Sequence, residues 1–260
     1  MSATTHELYD KRLKKPVVYR IADLNEDITM QEIVTMKAGK CELRFDMPNF
    51  TSIFLGKSEK ELLKAKEIFK ALINPKLPVR ERFVLSKENN SVLFDYLEHV
   101  QSAIIMAFTA VECLANDLLP DDFVYEEKRK GEETRKYDRK DIERWISTMD
   151  KLALVIPQAL KIKSPKTYNF WPKFTKLKDL RNDIIHFRNL LPIEQEEKER
   201  IISLLLCDSV FGKISSAFDL IKKIQSDLPS HAKMPILKNT ETIDPVEIPT
   251  WESLGVMQVD

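Results

Sequence analysis

The chain has 260 residues, 43% of them hydrophobic and 32% charged, which supports a packed core beneath a strongly solvated surface. Basic and acidic residues number 41 each, so the formal net charge is zero and any electrostatic binding site must be local. Five glycines and three widely spaced cysteines are too few for an all-β sandwich, a glycine-rich nucleotide loop, a disulfide framework or a zinc site. No apolar run approaches the roughly 18 residues that span a bilayer, and the start is polar, so we expect a cytoplasmic protein without a membrane partner.

Residues 1–57 are predicted to form an N-terminal accessory segment that contains short strands. β-branched and aromatic residues concentrate there in three short runs, separated by polar residues, at 16–22, 40–46 and 50–55. Gly56, Lys57 and Ser58 follow the last run. They lack the earlier glycine that a phosphate-binding loop requires, so the end of a strand before a capped helix explains them better.

From residue 58 the apolar spacing becomes helical. Ser58 and Glu61 form a capping box at the start of the first predicted helix. Trp145 is expected to anchor a later helix in the core. The helix at about 90–119 is apolar almost all round, which predicts a central position among its neighbours. Beyond a charged loop at 121–141, further helices are predicted at about 141–160, 170–187 and 193–228.

Residues 229–260 contain four prolines and show no periodicity, which predicts an extended C-terminal tail. The predicted fold class is therefore mainly α. It comprises an antiparallel helical bundle at 58–228, the N-terminal accessory segment at 1–57 and the tail at 229–260.

Most familiar catalytic motifs are missing from the sequence. Four scattered histidines and no close cysteine pair do not match metal-ligand spacing, so we expect no metal. No Gly-x-Ser-x-Gly elbow marks a hydrolase nucleophile. We also expect no cofactor.

One segment combines Arg181, Asn182 and His186. A histidine exchanges protons near neutral pH, and a guanidinium binds phosphate and stabilises the charge of a phosphoryl transition state. Such a pair can cleave RNA without metal by promoting attack of the 2′-hydroxyl on the adjacent phosphorus. Arg181 and His186 lie about 140° apart on a regular helix, so both reach one point only through a distorted helix end or a second copy.

A basic stripe precedes this segment. Seven basic residues and one acid lie between Lys161 and Arg181, with aromatic residues among them. Basic side chains attract a nucleic-acid backbone, and aromatic rings stack on unpaired bases. The candidate RNA-binding residues are Tyr168, Trp171, Lys173, Lys176, Lys178 and Arg188.

A structural interpretation of the same residues stays open. Arg181 could pair with a carboxylate on a neighbouring helix. His186 could help to cap a helix C-terminus, where a cation is favourable. The lysines would then be a solvated face, and Phe170 and Trp171 would belong to the core.

At these residues the chain resembles the HEPN superfamily (higher eukaryotes and prokaryotes nucleotide-binding), a group of all-helical domains. The family's ribonuclease signature is an arginine, a polar residue that is often asparagine, a few further residues and a histidine, which Arg181, Asn182 and His186 match. The earlier helix at 108–119 resembles a core helix of the family, with Glu112 as its acidic residue. The resemblance covers about 86–228.

This resemblance implies a homodimer that joins two Arg/His motifs in one cleft and cleaves RNA without metal. His186 would be the general acid or base, Arg181 the phosphate ligand, Asn182 the orienting group and Glu112 the nearby acid. Family toxins paired with a nucleotidyltransferase antitoxin often carry a tyrosine two residues after the histidine. Here that residue is Arg188.

Three functions are therefore considered. The first is a HEPN-type endoribonuclease that acts as a toxin or phage-defence effector on cellular RNA, with a protein or nucleotidyltransferase antitoxin as a possible partner. The second is a non-catalytic HEPN module that binds RNA or nucleotide. The third is a helical scaffold for protein interaction, for which no salt-dependent RNA binding is expected.

Overall fold

The computed structural model describes residues 4–73, 84–128, 133–186, 193–228 and 240–251. The chain is mainly helical and carries a small sheet near its N-terminus. It divides into two compact units, one formed by residues 1–53 together with 228–260 and the other by residues 54–227.

The first unit is built from short strands. The strand β2 pairs with β3 in antiparallel fashion and with β9 in parallel, β1 pairs with β8, and β4 pairs with β5. Ile21 and Ile248 are buried at its centre, and Tyr19, Ile28 and Met30 pack around them. The strands are β1 (Thr4–Glu7), β2 (Val17–Ile21), β3 (Glu26–Met30), β4 (Ile33–Ala38), β5 (Cys41–Asp46), β8 (Thr240–Ile243) and β9 (Val246–Ile248).

Two of these strands come from the segment predicted to be an extended tail. The pairing of β1 with β8 and of β2 with β9 joins the two ends of the chain in one unit. Residues 240–251 therefore belong to the same unit as the N-terminal strands and are not a separate extended tail. Backbone pairing between distant segments leaves no periodic signal in a short sequence, which is why the separate treatment of 229–260 missed it.

The run at 50–55, predicted as a strand, is the beginning of helix α1 (Phe50–Leu72). The Asn49 side chain accepts a hydrogen bond from the backbone N–H of Ser52 at 3.0 Å, as a helix N-cap does. Ser58 is therefore not a cap. It is fully buried in mid-helix, and its hydroxyl donates to the Ala103 carbonyl at 2.8 Å. The prediction failed because buried hydroxyl residues hid the helical spacing of this face.

Helix α2 (Lys87–Asp117) is the core helix of the second unit, as predicted for 90–119. Its N-cap is Ser86, whose side chain accepts from the N–H of Asn89. It packs against α6 (Trp171–Ile185) and α8 (Ser209–Asp227). Its fully or nearly fully buried residues recur at helical spacing: Tyr96, Val100, Ala103, Ile104, Ala107, Phe108, Ala110, Val111, Leu114 and Ala115.

The region after α2 differs from its prediction in two ways. The charged loop contains a hairpin of β6 (Tyr125–Glu127) and β7 (Arg135–Tyr137). The single helix expected at 141–160 is interrupted at residues 146–147, and the new start is capped by Ser147. Trp145 is 64% exposed, so it does not anchor the core. The elements are α3 (Arg139–Trp145), α4 (Thr148–Asp150), a π-helical turn (Lys151–Val155) and α5 (Ile156–Leu160).

Helix α6 (Trp171–Ile185) agrees closely with the prediction for 170–187. The predicted last helix is instead two helices, α7 (Ile193–Leu205) and α8 (Ser209–Asp227). Ile201 and Val210 are both buried, although nine residues would place them about 180° apart on a straight helix. The break at 206–208 lets both helices turn an apolar face inward.

By length and composition, α2 is also apolar enough to cross a membrane. Its most apolar window of 18 residues has a mean hydropathy of 1.2, and 44% of that window is buried within the protein. The bent pair Lys198–Leu205 and Ser209–Asp227 passes the same test only as one span with a bend of 72°. A buried core helix has the same composition, so this is weak evidence for a membrane span.

A buried carboxylate predicts how stability depends on pH. Glu61 of α1 binds Lys57 Nζ at 2.7 Å and His99 Nδ1 at 2.6 Å, and its side chain is 7% exposed. These hydrogen bonds lower the pKa of Glu61 below its value in the unfolded chain, and the bond from Lys57 has the largest effect. The stabilisation is therefore complete above the unfolded-state pKa, near 4.5, and is lost as the pH falls through the lower folded-state value.

We expect Glu61→Gln to lower the free energy of unfolding by about 1 kcal/mol at neutral pH, because a charge-assisted pair is replaced by a neutral amide. The difference from the parent protein should shrink towards zero as the pH falls below 4, in urea titrations across a pH series. The exposed Glu67→Gln is the matched control. A difference that persists at the lowest pH would contradict this assignment.

Candidate functional site

Helix α6 carries the predicted Arg181, Asn182 and His186 towards its C-terminal end. Its apolar residues Phe174 and Leu177 are fully buried and hold the helix against the core. His186 is the C-cap residue, and its backbone N–H donates to the carbonyl of Asn182 at 2.9 Å. The helix therefore ends at the histidine.

The Arg181 guanidinium lies against α2. Its Nη2 is 3.6 Å from Oε2 of Glu112, and its Nη1 donates to Oδ1 of Asn182 at 3.1 Å. The guanidinium carbon lies 5.3 Å from the centre of the Phe108 ring, within cation–π range. The structure thus brings together Arg181, Asn182 and Glu112. The carboxylate on a neighbouring helix with which Arg181 could pair is that of Glu112.

The hydrogen bonding of Arg181 is incomplete. Its Nε is buried and has no hydrogen-bond partner among the residues that the structure describes. The contact with Glu112 is longer than a charge-assisted hydrogen bond, and the arginine and glutamate side chains are 22% and 34% exposed. Nε itself is closed to solvent, whereas the Arg181 side chain as a whole is 22% exposed, so an entering oxyanion would meet the guanidinium first and reach Nε only after the guanidinium shifts.

Lys151, which the sequence analysis did not single out, lies close to the same glutamate. Its side chain is buried in the π-helical turn, and Nζ donates to Oδ1 of Asn116 at 2.8 Å and to the carbonyl of Glu143 at 2.9 Å. Burial lowers the pKa of Lys151, although the carboxylates of Glu143 and Glu112 oppose that shift. Spacing along the chain gave no signal for it, because a lysine is expected at the surface.

The neighbouring thiol is not a nucleophile. Burial, with a smaller contribution from Asp117 and Glu112, raises the pKa of Cys113 to about 11. The protonated thiol is unreactive at neutral pH. Cys113 is therefore a protonated thiol at neutral pH.

His186 does not join the cluster within one chain. It is exposed, and its imidazole makes no hydrogen bond to any of the described residues. It follows Arg181 by five residues, and the regular helix between them separates their directions by about 140°. One chain therefore supplies the two groups on different sides of α6.

The predicted RNA-binding residues fall into different environments. Lys173 and Lys176 are exposed, whereas Lys178 forms an ion pair with Asp179 at 3.0 Å. The ring of Trp171 is partly buried and lies 5.7 Å from that of Phe174, so it is partly a core residue. Arg188 lies outside the described residues.

Tyr168 belongs to a cluster with α8. Its hydroxyl donates to Asp227, and Lys223 lies over its ring at 5.2 Å while binding Asp227 at 2.6 Å. Burial and the hydrogen bond to Asp227 raise the pKa of Tyr168 to about 12. Burial alone would raise the pKa of Asp227. The hydrogen bonds that Asp227 accepts from Lys223 and Tyr168 outweigh burial, so its pKa is lowered. Tyr168 is therefore neutral at physiological pH, and its hydroxyl is bound to α8.

Within the described part of the chain, no group of three His, Cys, Asp or Glu side chains is arranged to hold a metal ion. In comparisons with protein-family models, with curated proteins and with solved structures, nothing matches this chain.

The Arg181 contacts predict a small effect on stability. In Arg181→Met, the side chain keeps its packing over Phe108, while a cation with an unpaired Nε is removed and Glu112 stays partly solvated. We expect the free energy of unfolding to change by less than about 1 kcal/mol in urea titrations.

Phe174→Ala is the positive control, because truncating a fully buried phenylalanine costs about 3–5 kcal/mol. A loss above about 2 kcal/mol for Arg181→Met would show that the arginine is needed for the fold itself.

Proposed function

We propose that this protein is a metal-independent endoribonuclease of the HEPN type that works as a homodimer. The observation that supports this most is the half-buried Arg181 guanidinium, which has an unpaired Nε beside Asn182 on a helix that ends at an exposed histidine. A structural arginine is expected to have its donors filled. An arginine that receives a phosphate needs donors in reserve.

The proposed reaction is an internal transfer at phosphorus. The 2′-hydroxyl of the ribose attacks the adjacent phosphorus and gives up its proton, a new 2′ O–P bond forms, and the bond from phosphorus to the 5′-oxygen breaks. The products are a 2′,3′-cyclic phosphate and a 5′-hydroxyl, which takes up one proton. Arg181 stabilises the charge on the phosphoryl oxygens, and His186 transfers a proton as general base or acid. Asn182 orients the guanidinium through its 3.1 Å hydrogen bond.

A dimer is part of this proposal for a geometric reason. Arg181 and His186 lie about 140° apart around α6, so one chain does not aim both at a single phosphate. A twofold axis near the end of α6 would place His186 of a second copy opposite Arg181. In the proposed HEPN-like bundle, α2 with Glu112 and α6 with Arg181 are the two core helices that build the site.

In the cell, we propose a cytoplasmic effector of growth arrest or phage defence that cleaves cellular RNA. Its activity would then need restraint by a partner, of which a protein or nucleotidyltransferase antitoxin is the candidate. Arg188 stands where the modified tyrosine of such pairs is often found, so restraint through that residue is not proposed.

A non-catalytic RNA-binding module is the second candidate. It is favoured by Glu112, which already lies 3.6 Å from Arg181 and competes with a phosphate for the guanidinium. Such a module binds RNA with the same dependence on salt, but it releases no product.

We expect the purified protein to cleave single-stranded RNA in the presence of EDTA and to leave 2′,3′-cyclic phosphate ends. His186→Ala should slow cleavage by about 10²–10⁴-fold, because a general acid or base is lost. Its circular dichroism and melting temperature should match those of the parent, since the side chain is exposed. The exposed Lys64→Ala on α1 is the control. Cleavage by His186→Ala at the parent rate would refute the assignment.

Mixing two inactive variants tests the shared site. In a heterodimer of His186→Ala with Arg181→Met, one of the two Arg/His pairs in the shared cleft still consists of Arg181 from one subunit and His186 from the other. Random reassociation of equal amounts should therefore restore about a quarter of the parent activity in a twofold-symmetric dimer. No recovery, while mixed dimers are shown to form by mass spectrometry, would mean that both groups act within one chain or not at all.

A further inference from the structure

We propose that the groove between α6 and α8 holds the sugar–phosphate backbone of a single-stranded RNA. The proposal rests on the proposed function, since it supplies the path of the substrate. The groove has a volume of about 600 Å³, within the roughly 300–1,000 Å³ of small-ligand sites. It is lined by residues of both helices and of the turn before α6, among them Phe170, Lys173, Gly212, Asp219 and Lys222.

The charge of the groove favours an anion. Lys173 and Lys222 are exposed, and neither amine has an ion-pair partner in the part of the chain that the structure describes. Lys223 Nζ lies 2.6 Å from Oδ1 of Asp227, so its charge is balanced within α8 and we do not count it among the cations available to a ligand. Asp219 is the one carboxylate in the lining. Two unpaired cations thus face a single acid in a chain whose net charge is zero.

The uncharged lining fits a nucleotide better than an acidic peptide. Phe170 is partly buried, and its ring lies 5.4 Å from that of Tyr168, which is itself held by Asp227. A ring fixed in this way offers a face on which an unpaired base stacks. The amide of Asn169 and the hydroxyl of Ser215 supply hydrogen-bonding groups for a ribose or a phosphate.

The groove is distinct from the Arg181 cluster but lies on the same helix. None of the residues that contact Arg181 lines it. Lys173 precedes Arg181 by eight residues, which corresponds to about 12 Å along α6. Eight residues also turn a regular helix by about 80°, so a strand held at Lys173 would cross α6 obliquely towards Arg181, and the groove would hold RNA beside the reacting phosphate.

The binding test uses an oligonucleotide with 2′-O-methyl riboses, which lack the attacking hydroxyl and are not cleaved. Its affinity is measured by fluorescence anisotropy over a salt series, for the parent and for Lys173→Ala/Lys222→Ala. Because each lost phosphate contact on a single strand reduces the log–log salt slope by about 0.7, the double variant should lose about 1.4 from that slope. We expect its affinity to fall at least tenfold.

A matched control has the same change of net charge. Lys60 and Lys64 are exposed lysines of α1, outside the groove. Lys60→Ala/Lys64→Ala should bind as the parent does. If both double variants weaken binding equally, net charge alone is responsible and the groove is not the site.

Two single variants change the groove in opposite directions. Asp219→Asn removes the carboxylate and should strengthen binding about two- to fivefold, the size expected for an exposed charge interaction. Gly212 has open space where a side chain would begin, so the Cβ of Gly212→Glu meets no neighbour, and the added carboxylate should weaken binding. Gly212→Ala is its control and should bind as the parent. Effects of the opposite sign would overturn the proposal.

The ligand is defined by three probes. The single strand should bind more tightly than inorganic phosphate and than a duplex of equal length, because stacking needs an unpaired base. If inorganic phosphate binds as tightly as the single strand, the groove is only an anion site. If the duplex binds as tightly, stacking on an unpaired base has no role. If polyglutamate binds as tightly, the ligand is an acidic protein. Each of these results overturns the proposal.

The groove and the catalytic proposal fail separately. If Lys173→Ala/Lys222→Ala binds like the parent, the groove is not the RNA site, even where the parent cleaves RNA. If binding depends on the groove but the parent never cleaves, the ribonuclease assignment is wrong and the groove proposal stands. A parent that does not bind the oligonucleotide at low salt overturns the groove.

Discussion

The contact between Arg181 and Glu112 is the interaction on which the candidate site depends. It joins α6 to the core helix α2 and sets the guanidinium over the Phe108 ring. At 3.6 Å and with both side chains partly exposed, it is a loose ion pair that adds little to stability. Its value lies in orientation, because it holds a partly exposed guanidinium in place while the unpaired Nε stays buried.

The same contact creates a competition that the proposed function has to resolve. A phosphate must draw the guanidinium away from Glu112 or share it. Thr148 donates to Glu112 at 3.4 Å, and the buried ammonium of Lys151 acts on the same carboxylate through its charge. These groups give Glu112 other partners when Arg181 moves to a ligand. The energetic cost of the exchange is therefore lower than for a fully buried pair, whose breaking strands an uncompensated charge.

Helix α6 organises the whole of the proposed RNA surface. Its buried face, which includes Phe174 and Leu177, packs on the core, and its N-terminal end borders the groove with α8. Its C-terminal end carries Arg181 and the exposed His186. A rigid helix thus sets the spacing between groove and cluster. The described residues of the groove and of the Arg181 cluster all belong to the unit of residues 54–227.

The sequence alone determined the features that repeat along one element. Residue spacing was enough to predict α2 and α6, because a helix places residues three or four apart on one face. The pattern of Arg181, Asn182 and His186 was found in the same way. Contacts between distant segments were decided only by the tertiary structure. The burial of Ser58 against Ala103, the burial of Lys151, the groove and the pairing of the chain ends depend on which backbone lies opposite. The spacing of residues along one element does not identify that partner, because the group that accepts the hydrogen bond or covers the side chain lies on a segment distant in the sequence.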